Sequence, residues 1–229
     1  MPGSAPDEVG GGMVADVFRD MFVPSTSLAS RAEPGTPNIV GALSLACALE
    51  ILGHVGMEVV AEHEHELTVR LLEGLREIDG HKLYGSTDLP RAPRVGVVTF
   101  NLGTLDHGFV TAALHDYFNI ALRNGCFCAH PYVRDLLRED IWALDTEDES
   151  EVRRRLGMVR ASFGLYSTLN DVESLLAAIS ELVERSSHFQ AQYRLVDGIH
   201  RHVDFRPEQE SSFEPCRAMA RALEQVMQP

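Results

Sequence analysis

Basic residues are scarce in this 229-residue sequence, and their scarcity excludes several functions. Only 20 residues are lysine or arginine, against 34 that are aspartate or glutamate, so the formal net charge is -14. Lys82 is the only lysine in the chain. A surface with this excess of negative charge repels nucleic acid and anionic lipid. We therefore expect no nucleic-acid partner and no membrane partner.

Long hydrophobic runs and cysteines are also few. No stretch approaches the roughly 20 consecutive apolar residues that a membrane-spanning helix needs, and the opening MPGSAPDEVGGG lacks the basic region and apolar core of a signal peptide. The cysteines are too few and too irregularly spaced for a disulfide framework; they are Cys47, Cys126, Cys128 and Cys216. With 45% hydrophobic residues the chain can still bury an ordinary core. We expect a cytoplasmic protein in a reduced compartment.

Hydrophobic periodicity predicts an α+β fold, with a mostly antiparallel sheet covered by helices. The central order of two strands, a helix, two strands and a helix favours this layout. In chain order the predicted elements are a helix from Pro37 to about Leu52, a helix over Met57–Ile78, strands over Lys82–Gly85 and Arg94–Leu102, a helix capped by Asp106, a strand over Ile120–Arg123, a helix near Tyr132–Leu137, a strand over Val159–Tyr166, a helix over Asn170–Glu184, a loop over Val196–Pro207 and an amphipathic helix over Phe213–Met227.

The segment RAEPGTPN, Arg31 to Asn38, opens the first long helix. Thr36 is placed to act as its N-cap, and Pro37 suits the first helical position because no backbone N–H is needed there. The free N–H groups of the first turn and the Thr36 hydroxyl can hold a phosphate. An ordinary helix start without a ligand is the alternative. The helix is almost continuously apolar, which predicts burial on more than one side.

The segment RNGCFCAHP, Arg123 to Pro131, places two cysteines in a glycine-containing loop after a strand. Such loops are accessible, and the charge of Arg123 favours a thiolate. A pair of small, half-buried side chains without chemistry is the alternative. We expect no metal, because His130 alone does not complete a ligand set with this pair, and His200 and His202 lack a third ligand.

The segment VRASFGLY carries Arg160 on a strand that otherwise consists of core residues. A guanidinium fork on a rigid strand can clamp a carboxylate through two parallel hydrogen bonds. A structural ion pair with one of the many acidic side chains is the alternative.

Taken in this order, the three segments resemble the C-terminal part of class V aminotransferases, specifically the cysteine desulfurase and selenocysteine lyase branch. That branch carries R-x-E-x-G-T-P-N, then R-x-G-x-x-C-A-x-P, then R-A-S-F followed by a helix. The matching segments here are Arg31–Asn38, Arg123–Pro131 and Arg160–Phe163, supported by GGGMV at Gly10–Val14 and HEHELT at His63–Thr68. The resemblance covers roughly Val9 to Ser186.

The resemblance implies an enzyme of fold type I that uses pyridoxal phosphate (PLP) and works as a homodimer. By this likeness Gly35 and Thr36 contact the cofactor phosphate of the partner subunit. Cys128 matches the nucleophile that takes sulfur from substrate cysteine as a persulfide, leaving alanine, with a sulfur-acceptor protein as a further partner. Arg160 matches the arginine that binds the substrate carboxylate, and Arg123 is assigned to the same substrate site.

Two departures from the family pattern leave alternatives open. Cys126 stands where the desulfurase motif often has histidine, so an aminotransferase or epimerase acting on another substrate is the alternative. The residues that match the family begin after its Schiff-base lysine, and Lys82 has the setting of a solvated side chain. We therefore expect the isolated chain to be a truncated, inactive part of the enzyme; a non-catalytic dimerisation module is a further alternative.

The same resemblance predicts three parts along the chain. Residues 1–36 are expected to be an irregular remnant of the large PLP-binding domain, and residues 37–190 the small domain with the interdomain helix. Residues 191–229 are expected to form a C-terminal extension.

Overall fold

The computed structural model describes residues 10–142, 148, 151–152 and 155–204. Tertiary contacts divide the chain into two compact units, one ending at Val59 and the other beginning at Val60, and each is described by itself. The predicted terminal helix over Phe213–Met227 lies outside the described residues, as does Cys216. The three-part division expected from the resemblance stays a prediction.

The first unit consists of a small hairpin followed by helices. Strand β1 (Val14–Val17) pairs antiparallel with β2 (Phe22–Pro24). Helix α1 (Leu28–Ala32) is short, and Ser27 caps it by accepting a hydrogen bond from the backbone N–H of Ser30. The long helix α2 spans Ile39–Val55.

The start of α2 differs from the prediction. Asn38, not Thr36, is the N-cap: its side-chain Oδ1 accepts a hydrogen bond from the N–H of Gly41 at 2.8 Å. Pro37 consequently precedes the helix. Asparagine and threonine both serve as N-caps, and the sequence pattern did not distinguish two candidates separated by one proline. The helix continues to Val55, three residues beyond the predicted end near Leu52, and Gly56 caps it in a backbone conformation with φ of 88° that favours glycine.

The predicted burial of α2 is wrong for this chain. None of its residues is buried, and Ile39, Val40 and Leu43 remain 60%, 75% and 63% exposed. The apolar pattern states what a helix is able to bury, but it does not state whether the covering surface belongs to the same chain. An exposed helix of this composition is typical of an association surface.

We expect the isolated chain to self-associate through α2 despite its net charge. Light scattering at increasing protein concentration should show a mass above that of one chain. Replacing Leu43 and Leu49, both exposed on α2, by glutamate should shift the population toward monomer, because charges oppose apolar contact. Glutamate at the exposed Ser174 of another helix is the matched control. A monodisperse monomer at high concentration would contradict the expectation.

The second unit is built around a four-stranded antiparallel sheet. Helix α3 (Met57–Arg76) leads into this unit, and its buried apolar residues recur at helical spacing, among them Val60, Leu67, Leu71, Leu72 and Leu75. The strands are β3 (His81–Tyr84), β4 (Val97–Leu102), β5 (Arg123–Gly125) and β6 (Met158–Ser162), in the spatial order β3-β4-β6-β5. The helices are α4 (His107–Phe118), α5 (His130–Leu136), α6 (Arg138–Trp142), α7 (Leu169–Glu184) and α8 (Ser186–Gln190).

The predicted α+β fold with an antiparallel sheet is confirmed, while three strand boundaries are corrected. The strand predicted over Ile120–Arg123 begins only at Arg123, the strand predicted over Arg94–Leu102 begins at Val97, and the strand predicted to reach Tyr166 ends at Ser162. Asn119 explains the first shift, because it ends α4 in a left-handed conformation with φ of 56°, and the chain needs several residues to reach the sheet.

The two faces of the sheet carry different side chains. On one face, alternate residues of the central strands are fully buried against helices α3, α4 and α7, among them Val98, Phe100 and Val159. On the other face lie the residues between them, including Thr99 and Arg160. A smaller cluster around Tyr84, Val133, Leu137, Leu156 and Met158 covers part of this second face. Because successive side chains of a strand point to opposite faces, one face of the sheet is packed and the other carries polar groups.

A hairpin replaces most of the loop predicted over Val196–Pro207. Strands β7 (Tyr193–Val196) and β8 (Ile199–His202) pair antiparallel through a two-residue turn. The turn residues Asp197 and Gly198 both have positive φ, 51° and 76°, as the favoured two-residue hairpin turns require. The Tyr193 hydroxyl donates to Asp116 at 2.7 Å, and the hydroxyl of Tyr117 lies 2.8 Å from His202 Nε2, so the hairpin is tied to α4.

Asp106 joins the start of α4 to this hairpin. Its Oδ1 accepts the N–H groups of Gly108 and Phe109 at 2.8 and 3.3 Å and lies 3.3 Å from His200 Nε2. Burial opposes ionisation of this carboxyl, but His200, His107 and the Gly108 N–H outweigh it and hold its pKa below the usual range. The predicted N-cap is confirmed.

Replacing Asp106 should lower stability in a pH-dependent way. Asp106→Ala removes the cap and should cost about 1 kcal/mol of unfolding free energy at neutral pH. Asp106→Asn keeps a capping oxygen and loses only the charge. Because the folded-state pKa is depressed, the charge contributes stability above the unfolded-state pKa of about 3.9 and loses it as the pH falls through the folded-state value. Urea unfolding of both variants should show the Asp106→Asn difference shrink in acid; equal stability of Asp106→Ala and the parent would contradict this.

No single helix in the described ranges is both long and apolar enough to cross a membrane, and α2 and α3 reach that threshold only when they are taken together.

Candidate functional site

The register of the sheet places four side chains in one row on its second face. Tyr84 pairs with Thr99, Thr99 pairs with Arg160, and Arg160 pairs with Arg123. Directly paired residues on neighbouring strands have their side chains on the same face, about 5 Å apart at Cβ. The row brings together Arg123 and Arg160, the two arginines that the family resemblance assigns to substrate binding.

The two arginines place two positive charges side by side in this row. Within the part of the chain that the structure describes, neither makes an ion pair with an acidic side chain. The Nε of Arg160 is buried, and none of the described residues accepts a hydrogen bond from it. Like charges directly opposite each other destabilise a sheet, and a buried donor without a partner costs further free energy. An anion bound at this row would relieve both costs.

The cysteine loop forms a tight turn beside the row. The N–H of Ala129 donates to the carbonyl of Cys126 at 2.8 Å, which closes a four-residue turn. Its central residues, Phe127 and Cys128, have φ of 52° and 60°, in the left-handed region that L side chains rarely adopt. Turns with positive φ at both central positions normally contain asparagine or glycine. The chain therefore holds Phe127 and Cys128 in a strained conformation.

The two cysteines of the turn have different surroundings. Cys128 is exposed, whereas Cys126 is half-buried and its thiol lies 3.2 Å from the carbonyl of Leu156. Burial raises the pKa of Cys126, and the charge of Arg134 offsets only part of this effect. Cys126 is thus held as a hydrogen-bonded thiol, while Cys128 is accessible for reaction at its sulfur.

Phe127 links this turn to the arginine row. The guanidinium carbon of Arg160 lies 5.0 Å from the centroid of the Phe127 ring, within the range of a cation–π interaction. Phe127 also packs against the smaller hydrophobic cluster of the second face. The contact joins the loop of Cys128 to the side chain of Arg160.

The single lysine of the chain is engaged in an ion pair. The ammonium group of Lys82 pairs with Asp140 of α6, and the hydroxyl of Tyr84 donates to the same carboxylate at 3.0 Å. Burial and then the charge of Asp140 raise the pKa of Tyr84. Lys82 is therefore a surface ion-pair partner of α6.

The remaining two predicted site residues belong to the first unit. Gly35 has φ of 83°, and its N–H donates to the carbonyl of Gly11 at 2.8 Å. Thr36 is exposed and lies two residues before the N-cap of α2. The Thr36 hydroxyl is thus available to an incoming group, but it does not cap the helix.

A large cleft is lined in part by the cysteine loop. It has a volume of about 1490 Å³, and residues of α4, of the loop and of the hairpin line it, including Cys126, His107 and His200. Neither Cys128 nor Arg160 lines it. Among the described residues no group of three or more histidine, cysteine or carboxylate side chains has the geometry to hold a metal ion.

Thr99 and Phe127 are parts of the site that the motifs did not single out. Thr99 follows from the alternation in the strand VVTFNL, where polar residues alternate with buried ones. Phe127 carried no signal, because its position depends on a turn whose positive φ values are untypical of its residue type.

The sequence and the fold are similar to those of known proteins. The family model "Aminotransferase class-V" matches residues 3–175. A protein named "Probable cysteine desulfurase" from Pyrococcus abyssi is 33% identical over 179 residues. The apo structure of the cysteine desulfurase from Thermococcus onnurineus NA1 superimposes with a TM-score of 0.61 at 34% identity, and the cysteine desulfurase CsdA (S-sulfonic acid) from Escherichia coli with 0.60 at 27% identity.

These matches cover most of this chain but a minor part of each relative. The match covers 78% of the chain and 39% of the Pyrococcus abyssi protein. The same shares hold for the Thermococcus onnurineus structure, and the Escherichia coli match covers 79% of the chain and 39% of that structure. The chain thus spans about two fifths of the length of the proteins that it matches.

Proposed function

This chain belongs to the class V aminotransferase family, and from that premise we propose that it supplies the sulfur-accepting and carboxylate-binding side chains of a PLP-dependent cysteine desulfurase. Cys128 is the sulfur acceptor in this proposal. Arg160 and Arg123 bind the carboxylate of substrate cysteine. The relatives named as cysteine desulfurases support the substrate class.

The main support for the proposal is a pair of arginines, Arg123 and Arg160, that have no acidic partner among the described residues and lie beside the loop of the exposed Cys128. Arg160 has a buried donor that meets no acceptor among the described residues, and it is paired directly with Arg123 on the neighbouring strand. An α-carboxylate is an anion of the size and shape that a guanidinium fork binds through two hydrogen bonds. Phe127, the residue before Cys128, contacts the same guanidinium. One small amino acid bound at Arg160 therefore lies next to the loop that presents Cys128.

The residues of this chain include groups suited to bind the phosphate end of PLP. The exposed Thr36 hydroxyl, with the glycine turn at Gly35, is a donor suited to a phosphate. No residue fits the covalent end, because the only lysine is Lys82 and its ammonium group pairs with Asp140. When bound, PLP acts as an electron sink for the carbon skeleton of an amino-acid substrate. We assign no step of the reaction to Lys82.

The side chains of the second unit then have distinct roles. Arg160 and Arg123 fix the carboxylate and so fix where the substrate sulfur points. The thiolate of Cys128 attacks that sulfur; a sulfur–sulfur bond forms while the substrate carbon–sulfur bond breaks. Protonation of the carbon gives alanine, and Cys128 is left as a persulfide. A sulfur-acceptor protein that takes this persulfide and a homodimeric assembly are parts of the same proposal.

A hybrid protein tests the function. In the hybrid, this chain replaces the matching segment of the Thermococcus onnurineus cysteine desulfurase. We expect the hybrid to release alanine and sulfide from cysteine in the presence of PLP and a thiol, and the 229-residue chain alone to release neither. Lys82→Ala should leave the hybrid active. Turnover by the chain alone, or loss of turnover in Lys82→Ala, would show that the roles are assigned wrongly.

A further inference from the structure

The contact between Phe127 and Arg160 links the two proposed functional groups, the Cys128 thiol and the Arg160 guanidinium. Phe127 is joined covalently to Cys128 and lies against the guanidinium of Arg160, 5.0 Å from ring centroid to guanidinium carbon. A substrate held by its carboxylate at Arg160 must present its sulfur to Cys128. One aromatic ring therefore touches the elements that position both ends of the substrate.

The backbone of the turn needs such a restraint. Phe127 and Cys128 both have left-handed φ values, and neither is glycine or asparagine. Such a conformation persists only where surrounding contacts determine it. The Ala129 N–H hydrogen bond to Cys126 closes the turn, and the Phe127 side chain holds it through Arg160 and the smaller hydrophobic cluster.

The guanidinium also needs a restraint. Arg160 has no ion-pair partner among the described residues, and Arg123 repels it from the neighbouring strand. The cation–π contact with Phe127 acts on the charge of the guanidinium, and the Arg160 Nε has no hydrogen-bond partner among the described residues. The contact with Phe127 therefore leaves a donor for a carboxylate.

We propose that Phe127 is a positioning residue that holds the Cys128 thiol and the Arg160 guanidinium in a fixed relation, so that both engage one small carboxylate-bearing molecule. This inference rests on the proposed function. It adds a residue that neither touches the reacting atoms nor belongs to the motif positions that match the family. Phe127 affects how the thiol and the guanidinium are placed relative to each other, and not the reactivity of either group by itself.

Affinity labelling of the full chain tests the proposal without turnover. Iodoacetate carries a carboxylate that can bind at Arg160 while its carbon alkylates Cys128; iodoacetamide is the neutral reagent of similar size. Peptide mass spectrometry gives the rate at each cysteine, and the iodoacetate-to-iodoacetamide ratio cancels differences in exposure. Cys47, exposed on α2, is the internal reference, and labelling is done at a protein concentration low enough that light scattering gives the mass of one chain. We expect the ratio at Cys128 to exceed that at Cys47 about tenfold.

Three variants separate positioning from packing. Phe127→Leu keeps an apolar side chain but removes the ring, and should lower the Cys128 ratio roughly threefold or more. Phe127→Tyr keeps the ring and should retain the ratio. Arg160→Ala should bring the ratio to that of Cys47. A purely structural role of Phe127 would change the rates of both reagents together and leave the ratio unaltered.

The outcomes distinguish the two proposals. If the ratio at Cys128 equals that at Cys47 in the parent chain and does not respond to Arg160→Ala, the proposed carboxylate site beside Cys128 is wrong. If the parent and Arg160→Ala behave as expected but Phe127→Leu keeps the full ratio, only the positioning role is overturned. Loss of the ratio in Phe127→Leu with retention in Phe127→Tyr supports it.

Discussion

Replacing Cys128 by serine is expected to abolish alanine formation in the hybrid protein. A serine hydroxyl is far less nucleophilic than a thiolate and cannot carry a persulfide. The rate should fall by a factor on the order of a thousand or more, as for the loss of other covalent nucleophiles. Alanine is measured after a fixed time with cysteine and PLP, and circular dichroism checks that the variant is folded.

Cys126→Ser is the matched control, since it makes the same chemical change two positions away. Cys126 is half-buried, its thiol contacts the Leu156 carbonyl, and its pKa is raised by burial. Serine can donate the same hydrogen bond, so most of the activity should remain. Wild-type activity in Cys128→Ser would remove the desulfurase assignment and favour an aminotransferase or epimerase.

Replacing Arg160 by alanine should raise KM for cysteine by about a hundredfold, with a smaller change in kcat. The reason is that Arg160 binds the carboxylate in the ground state and in the transition state alike, while Cys128 stays in place. Arg160→Lys is the control, because it keeps one positive charge but loses the planar fork. It should recover only part of the affinity.

Steady-state rates over a range of cysteine concentrations separate KM from kcat for both variants. If only the charge of Arg160 were needed, Arg160→Lys would have the same KM for cysteine as the parent protein. A fall in kcat at unchanged KM in Arg160→Ala would instead place Arg160 outside the carboxylate site and assign it to the chemical step.

The central elements of the fold could be predicted because local patterns determine them. The residues of α3 that the sequence places inward are buried, and Asp106 caps α4. Alternation in β4 and β6 separates the packed face from the face of Arg160. These features depend on neighbours a few residues away, and periodicity reports such neighbours directly.

The hairpin of β7 and β8 is indicated by its turn sequence, although the prediction for this segment was a loop. Asp197–Gly198 is one of the strongest two-residue turn sequences, and apolar and polar residues flank it. The apolar pattern of α2 indicates which residues can be buried, but it does not indicate whether this chain supplies the surface that covers them; here these residues are exposed.

The candidate site was predicted in its parts but not in its arrangement. The motifs indicated Cys128, Arg123 and Arg160 one by one. Their relation depends on strand register, which pairs residues 37 positions apart, and on a strained turn that places Phe127 against Arg160. Neither register nor positive φ at a non-glycine residue can be read from local sequence.

Locating the transferred sulfur tests the central claim most directly. The hybrid protein is incubated with cysteine and PLP without a thiol, unreacted thiols are blocked, and the peptide that contains Cys126 and Cys128 is fragmented in a mass spectrometer. The proposed function predicts one additional sulfur atom on Cys128 and none on Cys126. Alanine formation with the additional sulfur on Cys126, or on neither cysteine, would contradict it.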